Sequence, residues 1–311
     1  MDFILITLTS RSSGIANDLY GIVYEGAANR FAAVGAGGVI VTSSDGITWE
    51  TQTSGITTDL RGIAYGAGTF AAVGDSGVIL TSPNGTTWTV RSSGSIYNLY
   101  GIVYGDADNI FTAVGESGVI LTSPDGTSWT TQSSGTSKTL HGITYGGDSF
   151  LAVGASGAIL TSPNGVTWNS RTSSITTDFK GAAYGNGTFV IVGNYGKIVT
   201  SNDRIVWTSR SSGVRNDLRG IVFNDSKFVA VGNQTIIYSL CQEQGAGGQN
   251  TKSLLMEKYG LDHSSGNNES EIKDQKTLLR LISPNGDEIL KAGENFLITW
   301  ENESRFENVK L

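Results

Sequence analysis

Between Leu60 and Val90 the chain alternates short apolar stretches with glycine-rich turns. Leu60-Arg61-Gly62-Ile63-Ala64-Tyr65 is followed by Thr69-Phe70-Ala71-Ala72-Val73-Gly74, then Val78-Ile79-Leu80-Thr81-Ser82, then Thr86-Thr87-Trp88-Thr89-Val90. The turns between them read Gly-Ala-Gly, Asp75-Ser76-Gly77 and Pro83-Asn84-Gly85. Stretches this short, rich in Val, Ile, Thr and aromatics and punctuated by turn residues, predict four β-strands in a meander of hairpins. The runs are apolar on consecutive residues, as expected of a sheet packed on both faces. Helix is disfavoured by the glycine spacing and the β-branched density.

The same pattern recurs along most of the chain. Aligned on the glycine that opens an apolar–Tyr segment, the repeats start at Gly21, Gly62, Gly101, Gly142, Gly181 and Gly220, at intervals of 41, 39, 41, 39 and 39 residues. The two longer repeats carry their extra residues in one loop, Glu25–Arg30 and Gly105–Ile110. A period near forty with insertions confined to one loop predicts propeller blades. Five repeats contain all four strands, and the sixth, Leu218 to Leu240, ends after its third. Leu8-Thr9-Ser10-Arg11-Ser12-Ser13-Gly14 matches Trp207-Thr208-Ser209-Arg210-Ser211-Ser212-Gly213, and both lead into Asn-Asp-Leu. The fold class expected is therefore all-β: a six-bladed β-propeller over residues 1–240, closed by the N-terminal strand as fourth strand of blade six, which hides an otherwise open edge. A chain cut from a longer propeller would leave seven blades as the alternative.

Each third strand runs into a similar turn: Ser43-Ser44-Asp45-Gly46 before Trp49, Ser82-Pro83-Asn84-Gly85 before Trp88, Ser123-Pro124-Asp125-Gly126 before Trp129, Ser162-Pro163-Asn164-Gly165 before Trp168, and Ser201-Asn202-Asp203-Arg204 before Trp207. These turns resemble the Asp-box, S-x-D-x-G-x-T-W, of sialidases, xyloglucanases and photosystem II assembly-factor-type propellers. Here the box is one residue shorter, two copies carry Asn for Asp, and the fifth lacks the Gly. Their chemistry suits a hairpin staple: Asp or Asn accepts nearby backbone amides, Gly takes positive φ, and the Trp packs between blades. The sialidase likeness stops short of catalysis, because no Arg-Ile-Pro motif and no arginine triad with a Tyr–Glu pair is assignable. No catalytic residue, metal site or cofactor is expected.

Propeller topology brings the loops from strand four to strand one, and from strand two to strand three, onto one face around the channel. The residue before each strand-one glycine is Tyr20, Arg61, Tyr100, His141, Lys180 or Arg219, and two residues earlier stand Asp18, Asp59, Asn98, Thr139, Asp178 and Asp217. The second loop adds Asp75, Glu116, Asn194 and Tyr195. Such a ring of cations and aromatics would hold an anionic or sugar-like ligand, unless the Asp row neutralises it and it merely solvates the rim. Asp59 and Asp178 are also candidates for a glycosidase pair across the mouth.

Composition narrows the partners. A net charge of −7 argues against nucleic acid, which demands a basic face. One cysteine, Cys241, excludes an internal disulfide framework, and two histidines, His141 and His263, are too few for a His-rich metal site. No segment is long enough to span a membrane, and Met1–Leu8 lacks the basic region of a signal peptide. Residues 241–277, rich in Gln, Gly, Asn and Ser, read as a flexible linker. Leu281-Ile282-Ser283-Pro284-Asn285-Gly286 and Leu297-Ile298-Thr299-Trp300 resemble the start of a cell-wall-synthesis-type immunoglobulin-like module, so 278–311 is expected to be a truncated β-sandwich segment. The resulting expectation is a monomeric, non-catalytic binding or scaffold propeller of a secreted or cell-surface protein, with a protein or glycan ligand. A glycan-active hydrolase of the sialidase or xyloglucanase type, and an assembly factor of the photosystem II type, are the alternatives.

Overall fold

The computed structural model describes residues 11–224, 227–233 and 235–240, together with three strands further on, 278–283, 286–291 and 300–301. The protein is all-β, a six-bladed propeller with strands where the repeat placed them. Blades one to five are four-stranded antiparallel sheets, each ordered first strand to fourth, and blade six shows three strands. The first, innermost strands are Leu19–Glu25, Leu60–Gly66, Leu99–Gly105, Leu140–Tyr145, Phe179–Gly185 and Leu218–Asn224, and the fourth strands are only three residues long. Short outer strands limit the exposed edge of each blade.

Strand periodicity explains the core. In blade two Phe70, Ala72 and Leu80 pack against Ala32, Val34 and Ile40 of blade one, while the alternate residues Ala71, Val73 and Ile79 pack against Leu99, Ile102 and Phe111 of blade three. The same two-faced packing joins blades three to four, four to five and five to six. A hydrophobic interior thus lies between every consecutive pair of sheets, which is why the apolar runs do not alternate with polar residues. Each fully buried Leu or Phe in these layers contributes about 1.5–3 kcal/mol.

At the centre the packing is backbone on backbone. A Cβ added to Gly62 would lie 3.3 Å from the Tyr100 carbonyl oxygen and 3.4 Å from Gly101 Cα of the next blade, and Gly21, Gly101, Gly142 and Gly181 face their successors in the same way. A side chain at these glycines would therefore press on the next blade at the axis.

Two faces depart from this rule. Ile22 of blade one is 62% exposed where its counterpart Ile63 is 7%, and Val231 of blade six is 45% exposed where Val34, Val73, Val114, Val153 and Val192 are wholly buried. Val222 and Ile236 of blade six are exposed as well. By register these are the face of blade six that elsewhere packs on the next blade and the face of blade one that elsewhere packs on the preceding one, and here they are exposed. Residues 1–10, most of the N-terminal strand expected to complete blade six, lie outside the described residues. The loop that follows them is described: Ser13 Oγ donates to the Ile15 carbonyl at 3.4 Å, as Ser54 does to Ile56, Ser93 to Ser95, Ser134 to Thr136 and Ser212 to Val214. Each of those serines sits just after a fourth strand, so residues 12–18 take the form of a loop leaving one.

Residues 241–277, expected to be a linker, also lie outside the described residues. Beyond it Leu278–Ser283 pairs antiparallel with both Gly286–Lys291 and Trp300–Glu301, giving a three-stranded sheet.

Deleting residues 1–13 is expected to expose the edge of Thr235–Leu240, with aggregation or a melting temperature lowered by several degrees. A monomeric truncated protein with unchanged melting would contradict closure by this strand. In the body of the propeller, Gly74→Ala would force a Cβ to within 2.0 Å of the Asp59 carbonyl oxygen. Relief of that clash requires backbone movement, and chemical denaturation should show a loss of about 2 kcal/mol or more.

Candidate functional site

Every inner strand carries a β-bulge at the same end. The pairing of first with second strand shifts between Leu19 and Gly21, Leu60 and Gly62, Leu140 and Gly142, Phe179 and Gly181, and Leu218 and Gly220, and blade three shifts likewise opposite Leu99 and Gly101. The residue left without a ladder partner is in turn Tyr20, Arg61, His141, Lys180, Arg219 and Tyr100. All six candidates read from the repeat are thus the bulged residues, and a bulge re-aims the side chain it carries.

Contacts between them run from blade to blade. The Arg61 guanidinium stacks 4.7 Å from the centre of the Tyr20 ring. The Tyr100 and His141 rings lie 5.9 Å apart, and Lys180 Nζ donates to His141 Nε2 at 3.2 Å. Arg219 donates through Nε to Asn233 Oδ1 at 2.8 Å.

The acidic row has a double function. Asp59 Oδ1 accepts the Gly37 amide at 2.8 Å, Asn98 that of Ser76 at 2.7 Å, Asp178 that of Ser156 at 3.0 Å, and Asp217 that of Tyr195 at 3.0 Å. Each side chain therefore caps the turn of the preceding blade, while its main-chain carbonyl holds its own: Asp18 to Ala36, Asp59 to Asp75, Asn98 to Glu116, Thr139 to Ala155, Asp178 to Asn194 and Asp217 to Asn233. Asn serves as well as Asp in this cap, so the row is a stitch between blades before it is a charge.

Two of the carboxylates also neutralise ring cations. Arg61 bonds Asp75 through Nε at 2.9 Å and through a terminal nitrogen at 2.7 Å, and approaches Asp59 at 3.1 Å. That bidentate bond to Asp75 is the main reason the guanidinium holds its proton above its ordinary range. Lys180 pairs with Asp178 at 3.1 Å. The Asp178 carboxyl is held below its usual range, chiefly by the Ser156 amide and then by Lys180. Such a carboxylate stays ionised and is a poor general acid. His141 is pushed down by burial and by the Lys180 charge, against a smaller opposing pull from Asp178.

The Asp-box-like turns lie at the opposite ends of the strands. Asp45 Oδ1 accepts the amides of Ile47 and Thr48 at 2.7 and 2.8 Å, and Asn84, Asp125, Asn164 and Asp203 accept the corresponding pairs. The backbone amides lower the Asp45 carboxyl to about 2. At Asp125 the Thr127 hydroxyl leads, again to about 2. Trp88, Trp129 and Trp168 donate Nε1 to the carbonyls of Gly85, Gly126 and Gly165 and face Phe70, Phe111 and Phe150 of their own blades. Each joins an interior shared with the preceding blade. Trp49, Trp88, Trp129 and Trp168 are half-buried, because the outer edge of the blade gives each ring one wet side, and Trp207 alone of the five is buried. In that fifth copy Arg204 replaces the glycine, and the Trp207 Nε1 has no partner among the described residues. Arg204 instead reaches the Gly147 carbonyl and Ser149 Oγ of blade four. Beside the first turn lies a polar hollow of about 210 Å³, lined by Arg30, Thr42, Ser43, Ser44, Thr48, Glu50 and Thr86.

The described residues contain no group of three His, Cys, Asp or Glu side chains placed to hold a metal ion. None of their helices is long and apolar enough to cross a membrane.

This architecture, six antiparallel blades around an axis of glycines, places the chain among the β-propellers. Solved structures agree at the level of fold. The chain is similar to YCF48 from Cyanidioschyzon merolae, with a TM-score of 0.57 and 15% identity over 71% of this chain and 82% of that one. It is also similar to a structure of YCF48 bound to D1 peptide, with a TM-score of 0.58 and 15% identity over 73% and 79%. A chain of the nidogen/laminin complex aligns with a TM-score of 0.52 and 12% identity over 68% and 88%. No protein-family model matches the sequence, and no curated protein matches it.

Two predictions test these roles. Asp45→Asn should leave stability nearly unchanged, since Asn84 and Asn164 do the same work, whereas Asp45→Ala should lower the midpoint of denaturant melts. His141 has its folded-state pKa lowered, so below about 6.5 the unfolded chain binds the extra proton first. Stability should therefore fall as pH drops through that range, and His141→Gln should flatten this part of the melting-temperature profile.

Proposed function

We propose that this propeller is a non-catalytic binding module whose mouth face receives a protein partner. One observation carries the reading: six bulged positions in identical register hold Tyr, Arg, Tyr, His, Lys and Arg on a scaffold that otherwise repeats itself. Uniform packing would be served by one residue type six times, and variety at a re-aimed position is the mark of recognition. That YCF48 is seen with a peptide, and that a nidogen/laminin complex contains a propeller of this fold, supports a protein as the partner in preference to a glycan.

Hydrolysis of a glycan is the weaker alternative. Asp59 and Asp178, the pair nominated for it, are occupied by backbone amides and by Arg61 and Lys180, and Asp178 is held ionised. The turn chemistry supports kinship with Asp-box propellers, assembly factors among them. The motif at Ser283–Gly286 and the sheet built around it support a following immunoglobulin-like module. Together they favour a division at 240 and 277 and a place at the cell surface.

The test is site-specific photocrosslinking in extracts of the source organism. A benzoylphenylalanine at Tyr100 should capture a discrete partner, and the same group at Thr131, on an outer strand, should not. Capture from Thr131 alone would move the site to the rim. Turnover of fluorogenic glycosides that is lost in Asp178→Asn would replace binding with catalysis.

A further inference from the structure

The mouth is not electrostatically uniform. Around blades one to three its charges are Asp18, Asp59, Asp75 and Glu116 against Arg61, and Arg61 is already paired. Around blades five and six the balance reverses. Asn233 stands where blade two has Asp75, so Arg219, at the register of Arg61, has a neutral partner. Lys197 stands where the other blades have Val39, Val78, Val119 and Ala158, and Arg215 where they have Ala16, Thr57, Ile96, Ser137 and Thr176. Both are exposed, as is Arg219.

These residues share one place. A Cβ on Gly196 would lie 2.1 Å from the Val214 carbonyl oxygen, which brings the segment Tyr195–Lys197 against the loop carrying Arg215. Asp217 accepts the Tyr195 amide and lies two residues before Arg219. The sector's other carboxylate, Asp178, is paired with Lys180, and among the described residues none of the three cations has a carboxylate within ion-pair distance. Tyr195 completes the cluster. Its φ is +58°, a left-handed conformation that Gly37, Ser76, Ser117 and Ser156 fill in blades one to four. A left-handed backbone is unfavourable for a tyrosine, yet Tyr195 is 65% exposed.

We propose that Lys197, Arg215, Arg219 and Tyr195 form a docking site for a short acidic segment of polypeptide, the cations pairing with its carboxylates and the tyrosine packing against its backbone. The inference rests on the mouth face as the binding face and specifies which sector is used. A uniformly charged polyanion such as nucleic acid fits poorly, because its remaining charges would run over Asp59, Asp75 and Glu116. A short acidic stretch followed by neutral or basic residues meets complementary charge on both sides.

Fluorescence anisotropy of the full chain with labelled tetraglutamate and tetralysine peptides tests this. Tetraglutamate should bind at least about tenfold more tightly, and its affinity should fall with added salt. The triple variant Lys197→Gln, Arg215→Gln, Arg219→Gln should lose at least about tenfold. Tyr195→Ser, a residue native to this position in three blades, should weaken binding with the fold intact. Arg91→Gln, on the outer strand Thr89–Arg91 of blade two, should bind as the parent does. Equal binding of both peptides, an equal loss in Arg91→Gln, or tighter binding of a single-stranded oligonucleotide would overturn the proposal. If tetraglutamate fails to bind while crosslinking from Tyr100 still captures a partner, the cationic sector is wrong and the mouth reading stands. If both fail, both are wrong.

Discussion

The fold depends on how closely six strands approach one axis. Where Gly21, Gly62, Gly101, Gly142 and Gly181 face the next blade, backbone meets backbone with no room for a larger side chain to sit without displacement. That contact fixes the spacing of the inner strands, and with it the distance between sheets across which Phe70, Phe111, Phe150 and their neighbours interlock. The glycine also ends the bulge. Immediately before it, one residue per blade loses its ladder partner, so the same constraint that packs the axis frees a ring of six side chains at the mouth.

Those six side chains are held differently, although their backbone setting is the same. Arg61 lies between Tyr20, Asp59 and Asp75 and is electrically complete. Lys180 divides itself between His141 and Asp178. Arg219 has only an amide oxygen. The difference comes from the neighbouring turn, where Asp75, Asn194 and Asn233 occupy one register. For the two arginines charge is therefore set by the second loop, whereas Lys180 is neutralised from the Asp row, whose side chains also cap turns, a task that Asn98 performs equally well.

Much of this was legible in the sequence, because a forty-residue period exposes every position six times. Strand order, the four-stranded blade, the turn chemistry of Asp45 and its counterparts, and the ring at Tyr20 to Arg219 all follow from alignment of the repeats. The bulge does not, since nothing in Leu-Arg-Gly-Ile announces that the arginine lacks a ladder partner. The reach of Asp59 to the amide of Gly37, 22 residues back, was hidden too, because it crosses between blades and depends on their distance. Lys197 and Arg215 escaped for another reason. They stand at positions that are apolar or small in the other repeats, and only a search for departures from the repeat, carried beyond the ring, would have found them.

The exposed faces of blades six and one follow from the same repetition. Val222, Val231 and Ile236 on one side, with Leu19, Ile22 and Tyr24 on the other, repeat residues that elsewhere lie between blades. A surface selected only for solvent would not keep the Val and Ile of a blade interface at these registers, since apolar area left in water forfeits roughly 25 cal/mol for each Å² that burial would stabilise. The two faces carry the residue pattern of one more blade interface. Among the described residues Gly220 meets no residue of blade one; closure would set it against Gly21, complete the ring of bulges, and bring Tyr20 beside Arg219. The cationic sector of blades five and six would then adjoin the Tyr20–Arg61 stack, so that the mouth reads continuously from free cation to neutralised cation around its circumference.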